Sequence, residues 1–352
     1  MDKNGFIMVG IGEVLWDMLP SGKKLGGAVA NFAYHASVLG NRGVIASAVG
    51  NDDLGKELVE NLKTLGLETD FIQTDDIVPT GMVVVELDPK GQPTYIISED
   101  VAWDYLGWDD KWETLARQAD AICFGSLCQR WPTSYHTIKR FVRAAKNECL
   151  RIFDVNLRQN FYTADKINDS MQMADIVKLN EAEIGHVFRM LGLKPTNLRA
   201  SAKQLLENFG LKMVCLTRDQ RGCMLVTEKQ TVEHPGFKIK LTDAVGAGDA
   251  FTAALAHHYL RGTSLDKIAE AANRLGAYVA SKAGATPQID KNTLNLVLSP
   301  QVKRPDNRPS SGGRPGNRQD NRPGGRPDHR PNGRSDQRGD QRGGFRNQNP
   351  RQ

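Results

Sequence analysis

Thr242-Asp-Ala-Val-Gly246-Ala247-Gly248-Asp249-Ala-Phe251 sets a loop of small residues before a carboxylate, and an apolar run through Ala253, Ala254, Leu255 and Tyr259 follows. Glycines at 246 and 248 allow backbone conformations that a Cβ forbids, and they let a ligand approach the main chain. The apolar run reads as a helix. Its first amides have no intrahelical partner, and the helix dipole adds partial positive charge there. The result is an anion pocket with an acid at its edge. As a helix-start residue Asp249 could simply stabilise the first turn. An acid beside an anion pocket is unhelpful for binding alone. It suits a reaction in which an anionic group is attacked by a hydroxyl whose proton must be accepted.

Other elements must bring polar groups to this loop. Residues 6–11 form an apolar run that reads as a buried first strand. Gly10-Ile11-Gly12 lacks the third glycine of a dinucleotide fingerprint and runs into a charged Glu13, so that reading is rejected. Residues 13–20 are polar at alternate positions and suit a cleft rim. Gly26-Gly27 opens a helix that Gly40 closes. Phe32, Ala36 and Leu39 make its apolar stripe, and Gly27 and Asn31 share a face. Residues 50–57 match Gly-x-x-x-x-Gly-Lys, but Glu57 stands where a P-loop needs a hydroxyl. Asp52 and Asp53 would also oppose phosphate, so a turn and a helix start are expected. Residues 80–98, with Pro89-Lys90-Gly91 between two β-rich runs, predict a hairpin.

From residue 110 onward helical segments alternate with short apolar strands at 121–124, 151–155, 176–179 and 213–217. This alternation predicts a mostly parallel sheet covered on both faces. Ligands bind such sheets outside the carboxyl ends of the strands. Polar groups stand at three successive ends: Asp154, Asn156 and Arg158; Asn180, Glu181 and Glu183; Thr217, Arg218, Asp219 and Gly222. Each group could be an ordinary loop or cap, but their repetition favours a shared polar cleft. Another helix is expected over 265–281.

The string Asp-x-x-Gly-Ala-Gly-Asp-x-Phe closely resembles the signature of the PfkB/ribokinase family of sugar kinases. The run from Gly26-Gly27 through Asn31 to Leu39-Gly40 resembles that family's first signature. Together the resemblance covers about residues 5–298. It implies a ribokinase-like three-layer α/β sandwich with a mostly parallel central sheet and a small β lid from about 13–24 and 80–100. It also implies that Asp249 is the catalytic base and that the amides of Gly246, Ala247 and Gly248 form the anion hole. Gly26, Gly27 and Asn31 would lie against the sugar, with Arg158 at the sugar and phosphate loop. Asn156, Asn180, Thr217, Gly222 and Asn273 would serve ATP. Glu183 would meet Mg²⁺ through water, and Asp243 would border a K⁺ site. Asp219 departs from the family's Thr-x-Gly-x-x-Gly loop by replacing its first glycine; Asp tolerates a left-handed backbone but adds charge beside the nucleotide.

Composition sets further bounds. The 352-residue chain is 39% hydrophobic with a formal charge of +5. Residues 301–352 hold 13 Lys and Arg against 5 Asp, a charge of +8, which leaves −3 for residues 1–300. Five scattered cysteines show no Cys-x-x-Cys pair, so a reducing, cytoplasmic location is expected. No run reaches the roughly 18 apolar residues of a membrane span. From Arg314 to Arg346 arginine recurs at every fourth position among Pro, Gly, Asn, Asp and Gln. Proline and glycine forbid a helix there, and apolar area is lacking, so residues 299–352 are expected to form a disordered tail, with weak nonspecific RNA binding as its candidate role.

The expected activity is ATP-dependent phosphorylation of a sugar's primary hydroxyl. The Glu13–Pro20 stretch, Phe124-Gly-Ser-Leu-Cys-Gln-Arg130 and Asp154-Val-Asn-Leu-Arg158 look most like fructokinases of the family, with Asp17 gripping sugar hydroxyls. Kinases for ribose, 2-keto-3-deoxygluconate or a nucleoside need the same phosphate machinery and stay open. So does a kinase-fold protein whose main role is RNA binding by the tail. A homodimer through the lid strands is expected by analogy.

Overall fold

The structure is a computed structural model that describes residues 5–19, 22–87 and 93–301. The expected hairpin turn at 89–91 and the arginine-rich tail lie outside the described residues. The chain opens with β1 (Ile7–Ile11), β2 (Leu15–Leu19), β3 (Gly22–Gly26), α1 (Ala28–Val38), β4 (Arg42–Gly50), α2 (Asp53–Thr64), β5 (Ile72–Asp75), β6 (Met82–Leu87) and β7 (Pro93–Ile97). Alternation follows with α3 (Asp110–Gln118), β8 (Ala121–Gly125), α4 (Pro132–Ala144), β9 (Leu150–Asp154), α5 (Ala164–Met173), β10 (Ile176–Asn180), α6 (Glu181–Met190), α7 (Leu198–Phe209) and β11 (Met213–Thr217). Two strands, β12 (Cys223–Val226) and β13 (Thr231–His234), precede α8 (Ala247–Leu260), α9 (Leu265–Ala280) and α10 (Lys291–Leu298).

The main sheet has nine strands in the order β13-β12-β11-β10-β9-β8-β1-β4-β5. From β11 to β5 every pairing is parallel, and β12 and β13 close the far edge antiparallel. Strands buried on both faces need apolar residues at odd and even positions alike. Met8, Ala121, Cys123 and Ile152 join the core formed with α1, α8 and α9, whereas Val9, Ile122, Phe124 and Phe153 join the one covered by α3 to α7. Three layers result, as the resemblance implies. α1 is buried along its length from Val29 to Ala36, with Asn31 and His35 included, so its surround is broader than the stripe of Phe32, Ala36 and Leu39 predicts.

The chain proceeds from β1 outward to β4 and β5, then returns to lay β8 on the other side of β1. The point between β1 and β8 is therefore the place where strand order reverses, and a crevice opens there outside the carboxyl ends. A second sheet, ordered β3-β2-β6-β7, grows from the β1–α1 connection and the segment after β5. Residues 50–57 form a turn and a helix start. Asp52 caps α2 by accepting from Gly55 N at 2.7 Å, and its carboxylate also accepts from Thr80 N at 2.8 Å and Thr80 Oγ1 at 2.7 Å. That clamp fixes the base of β6.

Candidate active site

A cleft of about 1420 Å³ lies at the carboxyl ends of β1, β9, β10 and β11, with the small sheet along one wall and the start of α8 along another. Single-ligand pockets run to roughly 300–1,000 Å³, so this cleft has room for two substrates.

α8 starts from Gly246, whose φ of 75° is left-handed and whose added Cβ would stand 2.5 Å from that of Ala285. Ala247 N donates to Ala244 O at 3.3 Å, closing the turn, and Ala250 N begins the helical ladder on Gly246 O at 2.9 Å. Of the three amides expected to form the anion hole, that of Ala247 is thus partly engaged by this long bond. Gly248 and Asp249 lie in the first turn, where no earlier helical carbonyl can take their N–H groups. Asp249 Oδ2 accepts from Asn31 Nδ2 at 2.8 Å, and the other amide atom of Asn31, Oδ1, is buried without a partner among the described residues. Burial pushes the Asp249 carboxyl up to about 6, and Asp154 adds to the rise; Asn31, Lys178 and Arg158 oppose it.

Lys178 is the group that sequence reasoning missed at this loop. Its Nζ pairs with Asp154 at 2.7 and 3.0 Å, and Thr252 Oγ1 in α8 lies 3.3 Å from the same carboxylate. A Cβ added to Gly248 would stand 3.1 Å from Lys178 Nζ, so the ammonium lies directly against the anion loop. Burial works against its charge, but Asp154 and the Asp249 and Glu183 carboxylates raise it further, and Lys178 is held protonated. The available signal was a lysine inside the otherwise apolar β10.

The loops after β9, β10 and β11 converge as expected. Asn156 takes φ 41° and lines the cleft with Arg158, whose guanidinium donates to Leu157 O at 3.1 Å. Asn180 and Glu183 form a reciprocal capping box on α6: Asn180 Oδ1 accepts from Glu183 N at 2.9 Å, and Glu183 Oε2 from Asn180 N at 2.8 Å. Glu183 Oε1 also accepts from Leu157 N at 2.9 Å, so this carboxylate fastens two loops together. Burial leads the raising of its pKa. Asp219 adopts φ 49°, a left-handed backbone that aspartate tolerates, and Gly222 follows at φ 74°. Thr217 and Gly222 line the cleft, as does Asn273, whose Nδ2 is spent inside the fold on Ala269 O (2.7 Å) and Cys223 Sγ (3.0 Å). Asp243 holds Val245 N at 3.1 Å and Gly284 N at 3.0 Å, tying the anion loop to the α9–α10 connection.

On the small-sheet side Asp17 and Lys24 are register partners across β2 and β3, and both line the cleft. Burial, then Asp243, pushes Asp17 up to about 6. Gly27 lines the cleft beside Asn31. Gly26, expected beside the sugar with Gly27, lies against Asp17: an added Cβ would stand 2.5 Å from Asp17 Oδ2, so it leaves room for that carboxylate. Glu13, expected at the rim, instead sits in the wall with 2% exposure.

A profile described as pfkB family carbohydrate kinase matches residues 21–292. The uncharacterized sugar kinase PH1459 of Pyrococcus horikoshii is 32% identical over 281 residues, spanning 76% of this chain and 85% of that protein. Its crystal structure superposes with a TM-score of 0.69 over 83% of this chain and 99% of its own, and it has also been solved in complex with ATP. An ATP-dependent 6-phosphofructokinase of Thermoanaerobacterium thermosaccharolyticum is 27% identical over 313 residues, covering 82% of this chain and 93% of its own. The probable fructokinase-3 of Arabidopsis thaliana is 27% identical over 328 residues, covering 86% and 94%.

Proposed function

Because the chain belongs to the pfkB family of carbohydrate kinases, we propose that it transfers the γ-phosphoryl group of ATP to a primary hydroxyl of a sugar, with D-fructose as first substrate and fructose 6-phosphate as product. The observation that carries this reading is the placing of Asp249 at the head of α8, bonded to Asn31 and flanked by a buried ammonium. ATP as donor is supported by the ATP complex of PH1459, and a fructose skeleton by the names of the two other relatives.

The acceptor hydroxyl lies beside Asp249, which takes its proton as the new O–P bond forms and the bond from γ-phosphorus to the bridging oxygen of ADP breaks. First-turn amides of α8 and the Lys178 ammonium face the negative charge that spreads over the transferring group. Asn31 fixes the rotamer of the base and offers its free Oδ1 to a sugar hydroxyl. Asp17 grips further hydroxyls, Gly27 lets the sugar close on the helix start, and Arg158 neutralises the phosphoryl group. Asn156, Asn180, Thr217, Gly222 and Asn273 line the nucleotide side.

Among the described residues no cluster of three or more His, Cys, Asp or Glu side chains could cage a metal. Glu183 already gives each oxygen to an amide. Such a donor set would hold Mg²⁺ through water, with Glu183 and Asn180 as partners of that water. The ion supplies neutralisation of phosphate charge. A K⁺ beside Asp243 would be held by lone pairs that Val245 and Gly284 leave free.

A coupled ADP-release assay over D-fructose, ribose, 2-keto-3-deoxygluconate, adenosine and fructose 6-phosphate tests this. The highest kcat/KM is expected for D-fructose. Preference for another acceptor overturns the substrate choice, and no sugar-dependent ADP release overturns the kinase reading.

A further inference from the structure

Glu13 follows β1 at the point where strand order reverses, between β1 and β8. The chain from β1 must turn there into the small sheet, and α1 starts against the same turn: a Cβ on Gly27 would stand 2.4 Å from Glu13 O. The side chain is therefore held in the cleft wall at the junction of both sheets and α1. Within the protein its carboxyl group is half satisfied. The Glu13 and Ala28 amides serve it, while Oε2 is buried with no partner among the described residues. A carboxylate there lacks a donor and a carboxylic acid lacks an acceptor, so neither protonation state is complete without something from the cleft. A hydroxyl completes the acid, because its oxygen accepts the acid's proton.

The surroundings select the acid. Asp249 of α8 faces Glu13 with like charge; Arg158, after β9, opposes that effect; Cys123 of β8 and Cys128 just beyond it are neutral thiols raised by burial. Two carboxyls at one site settle into different protonation states, one as base and one as acid. Burial comes first and Asp249 adds to it, carrying Glu13 up to about 7.

We propose that Glu13, as a neutral carboxylic acid, donates a hydrogen bond to a sugar hydroxyl oxygen in the acceptor pocket and so selects a neutral polyol over an acceptor lacking that hydroxyl. The inference rests on the kinase reading above and names a substrate contact within it.

Steady-state kinetics of the full-length chain, with ATP and D-fructose from pH 6 to 9, test it. If D-fructose is not turned over, whichever of ribose, 2-keto-3-deoxygluconate, adenosine or fructose 6-phosphate is phosphorylated replaces it. Glu13→Ala is expected to raise the sugar KM about tenfold or more while leaving the ATP KM within about twofold, the loss of one well-placed buried hydrogen bond. Wild-type sugar KM is expected to rise above pH 7 as the acid ionises. Glu13→Gln, which keeps an N–H donor, recovers most of the affinity lost in Glu13→Ala and flattens that rise. An unchanged sugar KM in Glu13→Ala, or an undiminished alkaline rise in Glu13→Gln, overturns the inference. If Glu13→Ala does not fold, the wild-type and Glu13→Gln profiles decide alone. A wild type inactive on all five acceptors defeats the kinase reading and this inference together. Activity on one of them with no effect at Glu13 defeats the inference only.

Discussion

Asn31 Nδ2 lies 2.8 Å from Asp249 Oδ2, joining two residues 218 positions apart in the chain. α1 and α8 pack side by side on the same face of the sheet, and the start of each helix meets at the cleft floor. The bond orients the carboxylate and lowers its proton affinity, against burial and Asp154, which raise it. A base in this position must be ionised to act.

Asp249→Asn is expected to lower kcat by about 10²–10⁴-fold, the range for loss of a positioned base, with the melting temperature and nucleotide affinity retained. Near-normal kcat in a correctly folded variant would retire the mechanism.

The acid limb of kcat follows from the same group. Its folded value of about 6 lies above the ordinary 3.8, so the ionised base is lost as pH falls through about 6. A fall of about tenfold per pH unit is expected below that point. Asn31→Ala removes a bond that lowers the value, so its limb should move to higher pH. A limb that moves down, or stays in place, contradicts the assignment.

Glu13 shapes stability as well. A carboxyl raised from 4.5 when unfolded to about 7 when folded binds its proton more tightly in the native state. Its contribution is full below pH 4.5 and is lost as pH rises to 7, up to about 3 kcal/mol at 1.36 kcal/mol per pKa unit. Denaturant titrations of wild type and Glu13→Gln from pH 4.5 to 8 should diverge in that direction. Parallel curves would mean that Glu13 does not titrate in this window.

The two glycines of the anion loop should behave differently. Gly246→Ala forces a side chain into a left-handed φ of 75° against Ala285, at a cost of roughly 1–3 kcal/mol in stability. Gly248→Ala falls in the first turn of α8 without a left-handed φ, so alanine is unstrained there, yet its methyl faces Lys178 Nζ at 3.1 Å. Thermal melts and kinetics should separate them: Gly248→Ala loses activity without losing stability. A Gly248→Ala enzyme of wild-type kcat/KM for ATP would remove Lys178 from the phosphoryl site.

Ending the chain after residue 301 tests the arginine-rich segment. Kinase kinetics should be unchanged, and any retention of the full chain on RNA at low salt should be lost. Retention by the full chain that ignores salt would be inconsistent with arginines pairing to phosphate.

The sequence by itself determined the strand–helix alternation, the small-residue loop at 246–248 with Asp249 behind it, and the polar ends of three parallel strands. These features are local: periodicity, glycine and a cap can be read within a dozen residues. Asp219's left-handed backbone is one that aspartate tolerates, as the glycine position it occupies in the resembled loop implied. Only the tertiary structure decided that Lys178 lies against Gly248, that Gly26 leaves room for Asp17, and that Glu13 is buried in the wall with an oxygen unpaired among the described residues. Charge, burial and partner are properties of what arrives from elsewhere in the chain. A lysine in an apolar strand or a glutamate after one carries no mark of it until β1, β10, α1 and α8 meet at one end of the sheet.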